Sequence, residues 1–143
     1  MADESFQHAV ATSKRVDQVW EALDRPTTWE AIPGVDHVHH PVVDEAGRLR
    51  GFSFDSIIGG RSYRGQALPS AREEGSLIGW DITSAQIQGQ VVVAVSQDGD
   101  GSLVDVRLDI SRAGFLGALL FPIIASAIRG GFERTVEEFV AGL

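Results

Sequence analysis

The densest group of titratable side chains in the sequence contains three histidines, His37, His39 and His40. In a β-strand, His37 and His39 would share one face, where two imidazoles could bind a metal ion together with a carboxylate such as Asp36 or Asp44. The chain has no HExxH or other paired ligand motif to support such a site. A strand near the rim of a sheet commonly exposes polar side chains. We therefore interpret these histidines as surface residues and predict no metal site.

A second group, Arg61, Tyr63 and Arg64, lies in a β-rich run. Because side chains alternate along a strand, either Arg61 and Tyr63 or Arg64 would point inward. An inward arginine could bind a ligand carboxylate or enolate through two hydrogen bonds, and the tyrosine hydroxyl could donate another or act as a general acid. Alternatively, both arginines lie at the surface or pair with Asp55 or Asp81, which we favour because buried arginine is uncommon. These three residues are the candidate catalytic residues.

Two further segments resemble known motifs but lack essential residues. Residues 51–55 (GFSFD) resemble a nucleophile elbow, but the second glycine is missing and the segment is predicted to be a strand. Residues 98–102 (DGDGS) resemble the start of a calcium loop without the glutamate that such a loop needs at its twelfth position. We therefore predict no hydrolase triad, and we interpret residues 98–102 as a hairpin turn.

Length and charge limit the functions open to the chain. Its 143 residues suffice for one well-buried core, so we predict a single domain over residues 1–143. The formal net charge is −8 and only 12 residues are Lys or Arg, which disfavours nucleic acid or an anionic membrane as a partner. The absence of cysteine excludes disulfides and thiolate zinc sites. The acidic start does not resemble a signal peptide, so we expect a cytoplasmic protein.

The first third of the sequence predicts one strand and two short helices. The strand covers Ser5–Thr12, and Ser13 is a candidate N-cap for the helix that follows. An apolar stripe at helical spacing, which we assign to the core, consists of Val16, Val19, Trp20 and Leu23. Pro26 suits the first turn of the second helix, which should end near Ile32 because a Pro-Gly pair follows.

From residue 35 onward, β-rich runs separated by turn residues predict a meander of about six strands. Alternation predicts two inward faces, formed by Ile78, Trp80 and Ile82 and by Val104, Val106, Leu108 and Ile110. Residues 91–95 (VVVAV) are apolar on both faces, which is typical of a strand that is covered on both sides or central. Glycines inside strands, Gly51, Gly65, Gly79 and Gly89, favour bends that curl the sheet around a cavity.

A long closing helix is predicted from about Phe115 to Leu143. After Gly131 it is amphipathic, with an apolar face that should clamp the sheet: Phe132, Val136, Phe139, Val140 and Leu143. Residues 115–128 are apolar nearly all round, which exceeds what packing on one side requires. This stretch contains Pro122 and is shorter than the ~20 apolar residues of a membrane-spanning helix, so we predict no stable membrane insertion.

Several segments together resemble the START-like, or Bet v 1-like, superfamily. They are the run from Ser13 to Trp29 (SKRVDQVWEALDRPTTW), Ile32–Val35 (IPGV), the order of the strands and the closing Phe132–Phe139 (FERTVEEF). Within that superfamily the chain is most similar to the bacterial polyketide cyclase/dehydrase and lipid transport group. Its Pro-Gly-Val segment also resembles the accessory G subunit of carbon monoxide dehydrogenase.

The resemblance spans nearly the whole chain and implies an α+β helix-grip fold. In that fold a curved seven-stranded antiparallel sheet, two short helices and a long C-terminal helix enclose a cavity. Members of the superfamily include lipid or sterol carriers, aromatic cyclases and hormone receptors. No catalytic motif of the family maps onto this sequence.

We predict that a ligand binds between the sheet and the apolar half of the closing helix. The candidate ligand-binding residues are Trp29, Phe54, Tyr63, Ile78, Trp80, Ile82, Phe121, Ile124 and Ile128, of which Trp80 and Phe121 are the strongest. Our first hypothesis is a carrier or sensor of a small hydrophobic ligand, lipid-like or aromatic, with a cavity of several hundred Å³. The alternatives are a polyketide cyclase/dehydratase-type enzyme and a module that docks a protein partner through the apolar helix. We predict no cofactor, and a monomer and a dimer both stay open.

Overall fold

The computed structural model describes residues 2–32, 35–58 and 60–143. Its strands are β1 (Glu4–Thr12), β2 (His37–Val43), β3 (Leu49–Ile58), β4 (Arg61–Glu73), β5 (Leu77–Ser84), β6 (Ile87–Asp98) and β7 (Gly101–Arg112). The helices are α1 (Val16–Leu23), a 3₁₀ helix (Pro26–Ala31) and α2 (Gly114–Ala141). The Pro-Gly pair predicted to end the second short helix, at residues 33 and 34, lies outside the described residues.

The seven strands form one antiparallel sheet in the order β1-β7-β6-β5-β4-β3-β2. Each strand from β2 to β7 pairs with its neighbour in sequence, whereas β1 pairs with the last strand, β7. The two short helices connect β1 to β2, at opposite edges of the sheet. The predicted α+β helix-grip architecture is therefore confirmed.

The inner face of the sheet carries the two alternating rows that the sequence predicted. Every residue of both rows is buried: Ile78, Trp80 and Ile82 on β5, and Val104, Val106, Leu108 and Ile110 on β7. On β6, Val91, Val93 and Val95 are buried with them, while Val92 and Ala94 are half-buried on the opposite face. β6 lies between β5 and β7, a central position that is typical of a segment apolar on both faces, as residues 91–95 are.

The first helix begins later than predicted. Its N-cap is Arg15, whose backbone N–H donates to the Gln18 side chain at 3.1 Å, and Ser13 is not the cap. The Thr12 hydroxyl accepts from the Lys14 backbone N–H at 3.3 Å, so residues 12–14 form a turn before the helix begins. Trp20, which we assigned wholly to packing, is half-buried against the core and also donates from Nε1 to Glu74 Oε2 at 3.2 Å.

The two halves of α2 differ in their surroundings as the sequence predicted. All five residues of the clamping face, from Phe132 to Leu143, are buried. In the first half, one side of the helix is buried, at Phe121, Ile124 and Ala125. On its opposite side Phe115, Leu119 and Ile123 are 80%, 60% and 58% exposed. No helix within the described part of the chain is long and apolar enough to cross a lipid bilayer.

Candidate functional site

A cavity of about 210 Å³ lies between the inner face of the sheet and α2. Its lining is mostly apolar and comes from the sheet, the 3₁₀ helix and α2. The lining residues include Trp29, Asp36, Phe52, Phe54, Ser56, Ile57, Tyr63, Ile82, Ser84, Gln86, Ile124, Ala127, Ile128 and Thr135. The volume is smaller than the several hundred Å³ that we expected, because buried aromatic side chains occupy part of the concave face.

Aromatic rings build the apolar end of the cavity. Trp29 is buried and donates from Nε1 to the backbone carbonyl of Leu23 at 2.9 Å, which fixes the 3₁₀ helix against α1. Its ring lies 6.4 Å from that of Phe52 and 5.7 Å from that of Trp80. Phe54 on β3 is paired with Gly65 on β4. A Cβ atom at Gly65 would collide with the Phe54 ring, so a side chain at that position would displace Phe54 from the cavity wall.

Six of the nine predicted ligand-binding residues line this cavity: Trp29, Phe54, Tyr63, Ile82, Ile124 and Ile128. Ile78, Trp80 and Phe121 are buried but do not line it. Trp80 packs against Trp29 and Phe52, which separate it from the open space. The ring of Phe121 instead lies 5.1 Å from the guanidinium carbon of Arg112, near the first turns of α2.

Apart from Thr135 on α2, the polar lining residues gather at the end of the sheet where β3 and β5 end and β4 and β6 begin. We call this group the polar end: Asp36, Ser56, Tyr63, Ser84 and Gln86. Ser56 and Tyr63 are directly paired across β3 and β4. The cavity opens beside this group, since Ile57 on β3 is 61% exposed and Ala127 on α2 is also exposed.

Two members of the polar end are already engaged with the backbone. The Ser84 hydroxyl accepts from the backbone N–H groups of Gln86 and Ile87 at 3.3 and 3.1 Å, which stabilises the β5–β6 turn. Asp36 Oδ2 accepts from the backbone N–H of Ile57 at 2.6 Å, which ties the segment before β2 to the end of β3. Both contacts place a polar group at the opening while they stabilise the loops around it.

Among the candidate catalytic residues whose side chains the structure describes, Tyr63 lines the cavity and Arg64 does not. Arg64 is exposed on the outer face of the sheet, where its Nε lies 3.3 Å from Asp55 Oδ1. This is one of the two carboxylate partners that the sequence analysis named for it. Arg61 shares the parity of Tyr63 along β4, but its side chain lies outside the described residues.

The histidines of β2 lie beside the Arg64–Asp55 pair on the outer face of the sheet. The rings of His37 and His39 are 4.4 Å apart, and His39 Nε2 is 2.6 Å from Asp55 Oδ2. The hydrogen bond to His39, followed by that to Arg64, lowers the pKa of Asp55. Over the described ranges, no three His, Asp or Glu side chains are arranged to hold a metal ion. This cluster therefore cross-links β2, β3 and β4 on the side of the sheet away from the cavity.

Sequence reasoning missed Ser56, Gln86 and Thr135 as lining residues. Ser56 could have been found, because it lies two residues after Phe54 and so shares its face of β3. Gln86 belongs to a turn, where no periodicity assigns a direction. Thr135 follows Ile128 by seven residues on α2, which also places the two on one face, and its hydroxyl donates to the Gly131 carbonyl at 2.8 Å.

Solved structures with the same fold come from several bacteria. The aromatase/cyclase Zhui from Streptomyces sp. R1128 superposes with a TM-score of 0.75 at 11% identity, covering 97% of this chain and 92% of that one. A START superfamily protein from Mycobacterium smegmatis gives a TM-score of 0.63 at 15% identity, with 88% and 94% covered. A conserved protein from Geobacillus kaustophilus gives 0.64 at 12% identity, with 96% of both chains covered. These identities establish a common fold only.

No curated protein matches the sequence significantly. The profile of one family does match, over residues 5–143, and it is described as polyketide cyclase / dehydrase and lipid transport. That match includes all of the helices and strands except the first residue of β1, and thus every described residue that lines the cavity. The chain therefore belongs to the polyketide cyclase/dehydrase and lipid transport family, with the START-like, Bet v 1-like fold.

Proposed function

We propose that this protein binds or carries a small hydrophobic ligand in the cavity between the sheet and α2. The observation that carries the proposal is the cavity itself, about 210 Å³ in volume, mostly apolar and partly open to solvent. A well-packed domain of this size has few voids larger than a water molecule. The family description, which includes lipid transport, supports the same function.

The cavity volume limits the size of the ligand. Apolar cavities of about 150 Å³ bind benzene in other proteins. A volume of about 210 Å³ therefore suits a molecule of one or two rings, or a short aliphatic chain. The stacked rings of Trp29 and Phe52 at the apolar end favour an aromatic or planar ligand.

Proton-transfer catalysis of the polyketide cyclase type is a second candidate. Tyr63 lines the cavity and Asp36 lies at the same end, so a phenol and a carboxylate are both present at the polar end. For catalysis both would have to reach one point of the ligand. Turnover of an aromatic polyketide-like substrate, abolished by Tyr63→Phe, would replace the binding proposal with this one.

Docking to a protein partner through α2 is the third candidate, and the exposure of Phe115, Leu119 and Ile123 favours it. Replacement of all three by glutamine should leave ligand binding in the cavity unchanged. If the native protein forms a complex that this triple variant does not, docking is a function of the protein beside ligand binding.

A pair of matched variants tests the binding proposal. Ala127→Phe places a ring at the opening of the cavity, whereas Ala118→Phe places the same ring on an exposed part of α2 that does not line it. We expect naphthalene derivatives to raise the melting temperature of the wild type and of Ala118→Phe, and to have little effect on Ala127→Phe. Equal shifts in all three proteins, or none in the wild type, would overturn the proposal.

A retained natural ligand provides an independent test. The protein purified from its natural host should carry a molecule of one or two rings, or a short chain, visible by native mass spectrometry. Ala127→Phe from the same host should be empty.

A further inference from the structure

Two of the three hydroxyls of the polar end belong to Ser56 and Tyr63, which are neighbours on the inner face of the sheet. Their Cα atoms are partners across β3 and β4, and both residues line the cavity. Directly opposed residues in an antiparallel pair have Cβ atoms about 4.5–5.5 Å apart. The two side chains therefore lie side by side on the face of the sheet that lines the cavity, and one bound ligand can contact both.

Neither hydroxyl is engaged within the described part of the chain. No described residue hydrogen-bonds to the hydroxyl of Ser56 or of Tyr63, although both residues are half-buried. Ser84 differs, because its hydroxyl is used by the β5–β6 turn. A polar group at a partly buried site contributes most to the free energy of binding when the ligand supplies its missing hydrogen-bond partner. Ser56 and Tyr63 thus hold unused hydrogen-bonding capacity at the opening.

The charge near this pair disfavours an anionic ligand. Asp36 lies at the same end and is held against β3 by the Ile57 backbone N–H at 2.6 Å. Arg64, the neighbour of Tyr63 in sequence, does not offset this charge, since it is exposed on the outer face beside Asp55. Among the described lining side chains none is a cation. A carboxylate at this end would meet one negative charge, and the other described polar groups there are neutral.

We propose that Ser56 and Tyr63 recognise a neutral oxygen, a hydroxyl or carbonyl group, on an otherwise apolar ligand. The ligand enters with its apolar part toward Trp29 and Phe52, and its oxygen stays at the polar end. Tyr63 and Ser56 can each donate to a carbonyl, and can each also accept from a hydroxyl. This inference rests on the proposed function and adds the chemical class and orientation of the ligand.

Three probes with one carbon skeleton test the inference: naphthalene, 2-naphthol and 2-naphthoate. We expect 2-naphthol to bind the wild type about five- to tenfold more tightly than naphthalene, the gain from one or two neutral hydrogen bonds. The carboxylate should bind more weakly than 2-naphthol. Dissociation constants from calorimetry at one pH and salt concentration give the ratios directly.

Three variants assign the preference to the two hydroxyls. Tyr63→Phe and Ser56→Ala should each lower the naphthol-to-naphthalene preference severalfold and leave the affinity for naphthalene nearly unchanged. Ser62→Ala is the control, because Ser62 is next to Tyr63 on β4 but is exposed and does not line the cavity. Its preference for 2-naphthol should equal that of the wild type.

The outcomes separate this inference from the binding proposal. If none of the three probes binds, the proposed function is overturned and this inference with it. If naphthalene and 2-naphthol bind equally, or Tyr63→Phe and Ser56→Ala retain the full preference, only the inference is overturned. Tightest binding of 2-naphthoate, lost in Arg61→Gln, would also overturn it and assign the head group to Arg61 instead.

Discussion

Arg72 binds Asp24 through both terminal guanidinium nitrogens, with N···O distances of 2.9 and 3.0 Å. Asp24 follows α1 and Arg72 lies on β4, so the pair ties the end of the helix to the sheet. Both side chains are mostly buried, at 12% and 20% exposure. Arg72 also contacts Glu74 through Nε at 2.6 Å and lies over the Trp20 ring.

Breaking this pair should destabilise the fold. Arg72→Met leaves Asp24 without its bidentate partner, and we expect a loss of about 2–3 kcal/mol in the free energy of unfolding, because a largely buried carboxylate stays unpaired. Urea denaturation monitored by circular dichroism measures it. Arg134→Met, which removes an exposed pair with Glu138, is the control and should cost less than about 0.5 kcal/mol. Similar losses in both variants would contradict the prediction.

Gly65→Ala should reduce both ligand binding and stability. The new methyl group would collide with the ring of Phe54, and the open space beside that ring is the cavity. We expect Phe54 to move inward, at a cost of about 1–2 kcal/mol, and naphthalene affinity to fall at least severalfold. Gly99→Ala in the β6–β7 turn has free space around its Cβ but a positive φ of 58°. It should cost about 1 kcal/mol and leave affinity unchanged.

The two buried tryptophans should respond differently to replacement by phenylalanine. Trp29 Nε1 donates to the Leu23 carbonyl, whereas Trp80 Nε1 is buried with no hydrogen-bond partner in the described part of the molecule. Both substitutions remove similar volume, but only Trp29→Phe also breaks a hydrogen bond and leaves a carbonyl unpaired. We expect Trp29→Phe to be more destabilising than Trp80→Phe by about 1–2 kcal/mol. Urea denaturation of both variants checks the order, and the reverse order would contradict it.

Stability should fall in acid partly through Asp55. The hydrogen bond from His39, followed by that from Arg64, lowers the pKa of Asp55 in the folded protein below its ordinary value. The contribution of Asp55 to the free energy of unfolding is therefore complete above about pH 4 and is lost as the pH falls through the lowered pKa. Asp55→Asn should lower the melting temperature at pH 6, and its difference from the wild type should shrink below pH 4.

Asp98→Asn at the end of β6 is the control for this pH dependence, since Asp98 forms no ion pair among the described residues. It should follow the wild-type curve throughout. A gap between Asp55→Asn and the wild type that stays constant from pH 6 to pH 2 would show that Asp55 acts by packing and not by its charge.

Periodicity predicted most of the fold because it reports burial directly. The alternation of Ile78, Trp80 and Ile82 along β5 corresponds to one buried face. The helical spacing of Phe132 and Val136 corresponds to the buried face of α2. These patterns are local, so they are present in the sequence before any partner is known.

The candidate site was less accessible to the same reasoning. A side chain buried in the core and one that lines a cavity have the same apolar character, so Trp80 and Phe121 could not be distinguished from Trp29 and Ile124. Turn residues such as Gln86 have no periodic direction. The parity of β4 stayed open, because a run with polar residues on both faces does not reveal which one is inward.

By itself, the sequence determined the α+β class, the order of the elements and the two unlike halves of α2, since each follows from local periodicity and turn chemistry. Only the tertiary structure decided that Tyr63 lines the cavity and Arg64 does not, because that depends on how β4 pairs with β3. It also brought Ser56 and Tyr63 together at the opening. The two residues are only seven positions apart, but the register of β3 against β4 decides that they face each other, and the alternation of side chains alone does not specify that register.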